Sequence, residues 1–164
     1  MDFQSQTPHF GVIGSPIKQS LSPVLFEYLS FYFNQPLNYQ SYEITQEHLN
    51  EFLKNKIFNL NLSGINVTIP HKEKVIPHCQ NISSAANICQ AVNVVKIDQM
   101  TKTLSGYNTD IHGIKETFKQ LHFDPSQKSI VVLGAGGAAQ AVCFALAEAK
   151  AKIFLSLIDH LEIK

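Results

Sequence analysis

Apolar and polar positions change period along this chain, and each period predicts an element. Phe10-Gly11-Val12-Ile13-Gly14 is a short apolar run closed by glycine and Ser15-Pro16, which predicts a buried strand entering a loop. Ser22-Pro23 then precedes Val24 to Leu29; serine at the N-cap with proline at the first helical position predicts a helix start. Leu37 to Ile44 alternates as a strand with Tyr39 and Tyr42 on opposite faces, and Thr45 caps a helix through Lys54. Ile65 to Ile69 has the period of a strand and Pro70 stops it; Ser83 to Ile88 reads as a helix and Val92 to Ile97 as another strand.

In the second half, Asn108-Thr109-Asp110 stands before Ile111, Ile114, Phe118 and Leu121, which share one helical face. Asp124-Pro125-Ser126 breaks that helix. Ser129 to Leu133 is an apolar strand running straight into Gly134-Ala135-Gly136-Gly137-Ala138-Ala139, with an alanine-rich helix to about Lys150 and a strand over Lys152 to Ile158. Strands alternating with helices predict an α/β fold with largely parallel sheets. The boundary between two units is expected between Lys96 and Thr109, dividing the chain into residues 1–102 and 103–164.

Composition narrows the class. Of 164 residues, 45% are hydrophobic and 16% charged, and 13 basic residues balance 13 acidic ones. That apolar content excludes a disordered chain, and the balance argues against electrostatic nucleic-acid binding. Every basic residue is lysine, so an anion must be held by lysines, hydroxyls or backbone N–H groups rather than by a guanidinium fork. Cys79, Cys89 and Cys143 are scattered and odd in number, as in a reduced cytoplasmic protein. The polar start, Met1 to His9, is no signal peptide, and no apolar run suffices to span a membrane.

Several residues can carry chemistry. Gly134, Gly136 and Ala139 fit G-x-G-x-x-[G/A] between a strand and a helix, where small residues let a pyrophosphate approach the helix N-terminus; the same residues also serve a tight turn. Asp159 is the candidate acidic partner of a ribose at the next strand's end. Lys72 lies just beyond a strand end, placed to exchange a proton or simply to be a solvated charge. Asp110 is a second candidate, or a helix cap. Ser20 and Ser22 bracket Leu21, so both hydroxyls can face one carboxylate, while Ser22 also suits a cap. His71 and His78 lack metal-ligand spacing and read as surface or supporting residues; no metal is expected.

In order, these segments resemble the shikimate dehydrogenase family. Ser20-Leu21-Ser22-Pro23 is similar to its S-x-S-P motif and Gly64-Ile65-Asn66-Val67-Thr68-Ile69-Pro70-His71-Lys72 to its G-x-N-V-T-x-P-x-K signature. Ala91-Val92-Asn93, Gly106-Tyr107-Asn108-Thr109-Asp110 and the loop Gly134 to Ala139 follow the same family pattern. The resemblance implies a substrate domain followed by the first β-α-β unit of a Rossmann-like NADP domain. It implies reversible NADPH-dependent reduction of 3-dehydroshikimate to shikimate in aromatic amino-acid biosynthesis. In family roles, Ser20 and Ser22 hold the substrate carboxylate with Thr68 nearby, while Lys72, Asn93 and Asp110 bind ring hydroxyls. Lys72 and Asp110 form the catalytic pair, and Gly134, Ala135, Gly136, Gly137 and Ala138 hold the cofactor.

Departures from the pattern carry their own expectations. Gln19 stands where many relatives carry histidine, and Gln90 and Val94 replace a small residue and a threonine. Leu155-Ser156-Leu157-Ile158-Asp159-His160 lacks the family's N-R-[S/T] turn for the NADP 2′-phosphate, which leaves NAD open as cofactor. The resemblance thus describes a C-terminally truncated member, with two alternatives: a non-catalytic fragment, or a quinate/shikimate dehydrogenase using NAD.

Overall fold

The computed structural model describes residues 7–156. Its first unit is a six-stranded sheet in the order β2-β1-β3-β5-β6-β4, formed by β1 His9–Gly14, β2 Asn38–Glu43, β3 Leu62–Val67, β4 Asn81–Ile82, β5 Val94–Asp98 and β6 Thr103–Tyr107. The second is a two-stranded parallel sheet of β7 Ser129–Leu133 and β8 Lys152–Ser156. Helices α1 Ser22–Tyr32, α2 Leu49–Glu51, α3 Ile57–Asn59, α4 Ser84–Cys89, α5 Asp110–Gln120 and α6 Gly137–Glu148 connect them, with a π-helical turn at Phe52–Lys56 joining α2 to α3. The helix expected to end at Lys54 therefore continues to Asn59. Among the described residues no helix is long and apolar enough to cross a membrane.

The first sheet is mixed, which corrects the expectation of largely parallel pairing. β1 pairs parallel with β2 and β3, and β4 with β6, but β5 runs antiparallel to both β3 and β6. The cause is local. Asp98 Oδ1 accepts the amides of Met100 and Thr101 at 2.9 Å, Lys102 takes a left-handed φ of 55°, and the chain reverses in a short turn. So short a link joins only antiparallel strands. β6 was not foreseen, and it moves residues 103–107, expected in the second unit, into the first sheet.

Strand alternation decides the core. Ile13, Leu62, Ile65, Val67, Val95, Ile97 and Leu104 are buried together with Leu49, Phe52, Leu53, Ile57 and Val75. The opposite face of the sheet carries Phe10, Val12, Gly64 and Asn66 toward α1, which buries none of its own residues. A second cluster of Cys89, Ala91, Ile111, Ala141 and Ala145 seats α5 and α6 against the end of α4, and a Lys115–Glu148 ion pair ties α5 to α6. Ile114 and Phe118 join that cluster; Leu121, expected on the same face, is exposed just beyond the helix. The three cysteines are free thiols. β8 is described to Ser156, so the strand end at Ile158 and Asp159 lie outside the described residues.

Candidate active site

The ends of β1 and β3 meet where two loops begin. Ser15 N–H donates to Ile69 O and Thr68 N–H to Ile13 O, both at 3.0 Å, so the loops after these strands are laced together. The first loop is also tied to β2: Ser15 Oγ donates to Glu43 Oε1 at 2.8 Å and Ile17 N–H to Oε2 at 3.0 Å. These two donors, the Ile17 amide first, hold the Glu43 carboxyl below its ordinary value. Ser22 does not cap α1. The cap is Leu21, and Ser20 Oγ accepts the Ser22 amide at 3.3 Å, so Ser20 and Ser22 both present hydroxyls where α1 begins.

Lys72 and Asn93 come from two loops and Asp110 from the first turn of α5, widely separated in sequence, and the structure joins them. Lys72 Nζ donates to Asp110 Oδ2 at 2.6 Å, and Asn93 Nδ2 donates to Oδ1 of the same carboxylate at 2.6 Å. The ion pair is largely shielded, with side chains 20% and 25% exposed. Asp110 is not the cap of α5. Asn108 takes that load: its Oδ1 accepts the Asp110 amide at 2.8 Å while its Nδ2 donates to Ala91 O at 3.0 Å. Asn93 is fixed in turn, its backbone bonded to Val67 and Tyr107 and its Oδ1 accepting Thr109 N–H at 3.0 Å. Asn108 and Thr109, which the sequence offered beside Asp110 as caps of this helix, share its start: Thr109 is the N-cap and Asn108 accepts the Asp110 amide.

Ser20, Ser22, Thr68, Lys72 and Asn93 line one cavity of about 620 Å³, with Val12, Asn66 and Phe26 among its walls. Asn66 lines this cavity too, although the sequence reading of the Gly64 to Lys72 segment gave it no role; its polar side chain between Ile65 and Val67 on an alternating strand was the available signal. A second cavity of about 420 Å³ lies between Thr68, Lys72, Glu73, Gly136, Gly137 and Ala138. Thr68 and Lys72 thus wall both spaces. Gly137 sits so close that an added Cβ would lie 3.0 Å from Ala91 Cβ and 3.6 Å from Lys72 Cδ. At Gly134, with φ +99°, and at Gly136 an added Cβ would meet nothing within 4 Å, so the loop opens onto free space. Gly136 caps α6 without a side chain, which leaves the first amides of that helix free for an anion.

The remaining candidates resolve differently. His71, expected at the surface or in support, is fully buried; its Nε2 donates to Ile44 O at 2.6 Å and holds the Lys72 loop to the chain beyond β2. Burial and the Lys54 charge push His78 below its ordinary pKa. No group of three metal-ligating side chains occurs among the described residues. Burial, then the Asp110 charge, pushes the Cys89 thiol up, which suits packing rather than nucleophilic chemistry.

Fold and site together define an α/β protein with a charge-paired lysine set between a mixed-sheet cavity and a glycine-loop β-α-β unit. The model of the shikimate dehydrogenase substrate-binding domain matches residues 12–95, and the chain belongs to that family. A shikimate dehydrogenase (NADP(+)) of Aquifex aeolicus is 42% identical over 151 residues, covering 92% of this chain and 55% of the relative. The crystal structure of shikimate dehydrogenase from the same organism superposes with a TM-score of 0.85 at 41% identity, over 94% of this chain and 57% of that one. The Thermus thermophilus shikimate 5-dehydrogenase, solved with NADP(H) and shikimate, gives a TM-score of 0.82 at 32% identity, over 91% and 55% of the two chains. The chain spans about half the length of the curated relatives it matches.

Proposed function

We propose that this chain carries the substrate site and the proton-transfer pair of an NADPH-dependent shikimate dehydrogenase, a cytoplasmic enzyme that reversibly reduces 3-dehydroshikimate to shikimate. The observation that supports it most is Lys72, held by Asp110 and walling both cavities. The substrate unit runs through Tyr107 and the nucleotide unit starts at Asp110. The carboxylate of the substrate lies against the hydroxyls of Ser20, Ser22 and Thr68, and the ring hydroxyls face Lys72, Asn93 and Asp110. Gly134, Ala135, Gly136, Gly137 and Ala138 hold the cofactor phosphates; the open loop and the free amides of α6 fit such a group. The NADP(+) in the relatives' names favours NADP over NAD.

When bound, the cofactor supplies hydride to the ketone carbon. The protein supplies charge and protons at the ketone oxygen. Lys72 Nζ faces the oxygen as negative charge builds there, stabilises it and donates the proton; Asp110 keeps that ammonium aimed and charged until then. Asn93 holds the other carboxylate oxygen, so Asp110 cannot turn away from Lys72. The test is NADPH oxidation by the purified chain with 3-dehydroshikimate, beside calorimetric binding of shikimate. Binding that Lys72→Met abolishes or weakens at least tenfold, with turnover reduced by about 10²–10⁴ in the same variant, supports the reading. A chain that neither binds shikimate nor oxidises NADPH refutes it.

A further inference from the structure

β2, β1 and β3 are neighbours, and their register sets Tyr39 beside Phe10 and Asn66 beside Val12. These positions share parity, so both side chains rise from the α1 face of the sheet. Tyr39 reaches across β1, and its hydroxyl donates to Asn66 Oδ1 at 2.6 Å. Phe26 of α1 lies flat on the Tyr39 ring, centroids 4.2 Å apart and planes 6° from parallel, which fixes the phenol in place. Burial pushes the Tyr39 pKa up to about 12, against a smaller downward pull from the Ser22 hydroxyl beside it. At neutral pH the phenol therefore keeps its proton and remains a donor toward Asn66.

We propose that Tyr39 is a positioning residue for the carboxylate end of the site: by occupying the carbonyl of Asn66 it holds that carboxamide with its NH₂ group toward the cavity. The inference rests on the reading of the cavity as a carboxylate site. A primary amide has one accepting and one donating end. With the accepting end tied to Tyr39, Asn66 joins Ser20, Ser22 and Thr68 in a wall of donors, the composition a carboxylate requires. Released, the amide is free to turn its carbonyl lone pairs toward the carboxylate. Tyr39 acts through Asn66.

Tyr39→Phe keeps the stack on Phe26 and removes only the hydroxyl. In the ligand-free protein, the Asn66 side-chain NH₂ resonances are expected to shift in this variant; unchanged resonances overturn the proposal. In calorimetry, shikimate is expected to bind about tenfold more weakly to Tyr39→Phe, whereas its methyl ester, which lacks the charge, changes less than twofold. Equal weakening of both ligands marks a general structural role and overturns the proposal. Asn66→Asp leaves Tyr39 its acceptor but replaces the NH₂ by an acceptor, and is expected to lose shikimate at least as strongly; undiminished binding overturns the proposal. Failure of the unaltered chain to bind shikimate counts against the proposed function, while the Asn66 resonances still decide whether Tyr39 holds the amide.

Discussion

Asp110→Asn is the most informative single change. At 2.6 Å the Lys72–Asp110 pair has a gross Coulomb attraction of about 6 kcal/mol at an effective dielectric of 20, most of it offset by desolvation. Exposed pairs are worth about 0.2–1 kcal/mol, and breaking a buried one costs about 3–5. Side chains 20% and 25% exposed lie between those limits, so a net cost of about 1–3 kcal/mol is expected. The geometry makes the asparagine worse than a lost charge. Lys72 and Asn93 both donate to this carboxylate, so an amide there turns its NH₂ toward one donor whichever way it lies. A chain of this length loses roughly 2–4 °C in Tm per kcal/mol. The assay is a denaturation cycle of Asp110→Asn, Lys72→Met and the double variant, each checked for a native spectrum. Coupling of about 1–2 kcal/mol is expected. Single-variant costs that simply add, to within about 0.5 kcal/mol, refute the claim that the two residues act as a unit.

The loop that carries Ser20 and Ser22 responds to acid through Glu43. Because that carboxyl is held below its ordinary value of 4.5, its tether is present at neutral pH and is lost as pH falls through the lowered pKa. The Ile17 amide resonance is expected to titrate with it and to stay still in Glu43→Gln; an Ile17 amide that ignores pH in the unaltered chain removes the tether. Two glycines of the Gly134 to Ala139 loop separate two causes. Gly134→Ala, in open space but at φ +99°, costs about 1–3 kcal/mol through the backbone alone. Gly137→Ala sets alanine's gain of about 0.5–1 kcal/mol in a helix against a 3.0 Å contact with Ala91 Cβ, and only this substitution becomes more favourable when Ala91 is replaced by glycine, as denaturation midpoints will show.

Much of this site was legible before the structure. Lys72, Asp110, Ser20 and Ser22 carry polar or charged groups at the ends of predicted elements, each with a structural alternative beside the chemical one, and Asn93 came from the family resemblance. The alternatives attached to Ser22 and Asp110 turned on which atom satisfies which helix amide. Ser20 and Asn108 accept those amides, so the side chains of Ser22 and Asp110 are not spent on capping. β6 stayed hidden because Thr103-Leu104-Ser105-Gly106-Tyr107 is weak in β-branched residues; it forms because β5 lies beside it and Gly106 admits Val92 and Ile82 at close range. His71 read as either a surface or a supporting residue, and only the structure chose support, since the Ile44 carbonyl that receives it is 27 positions away.

By itself the sequence determined most of the elements, the α/β class, the family and the chemical types at the site, because strand and helix periods and motif spacing are local properties. Tertiary structure alone decided pairing and aim. It set β5 antiparallel between β3 and β6, brought Lys72 within 2.6 Å of a carboxylate 38 positions away, and laid Tyr39 across a strand onto Asn66. Those are long-range contacts, fixed by which strand ends meet once the apolar face is buried, and no window along the chain contains both partners.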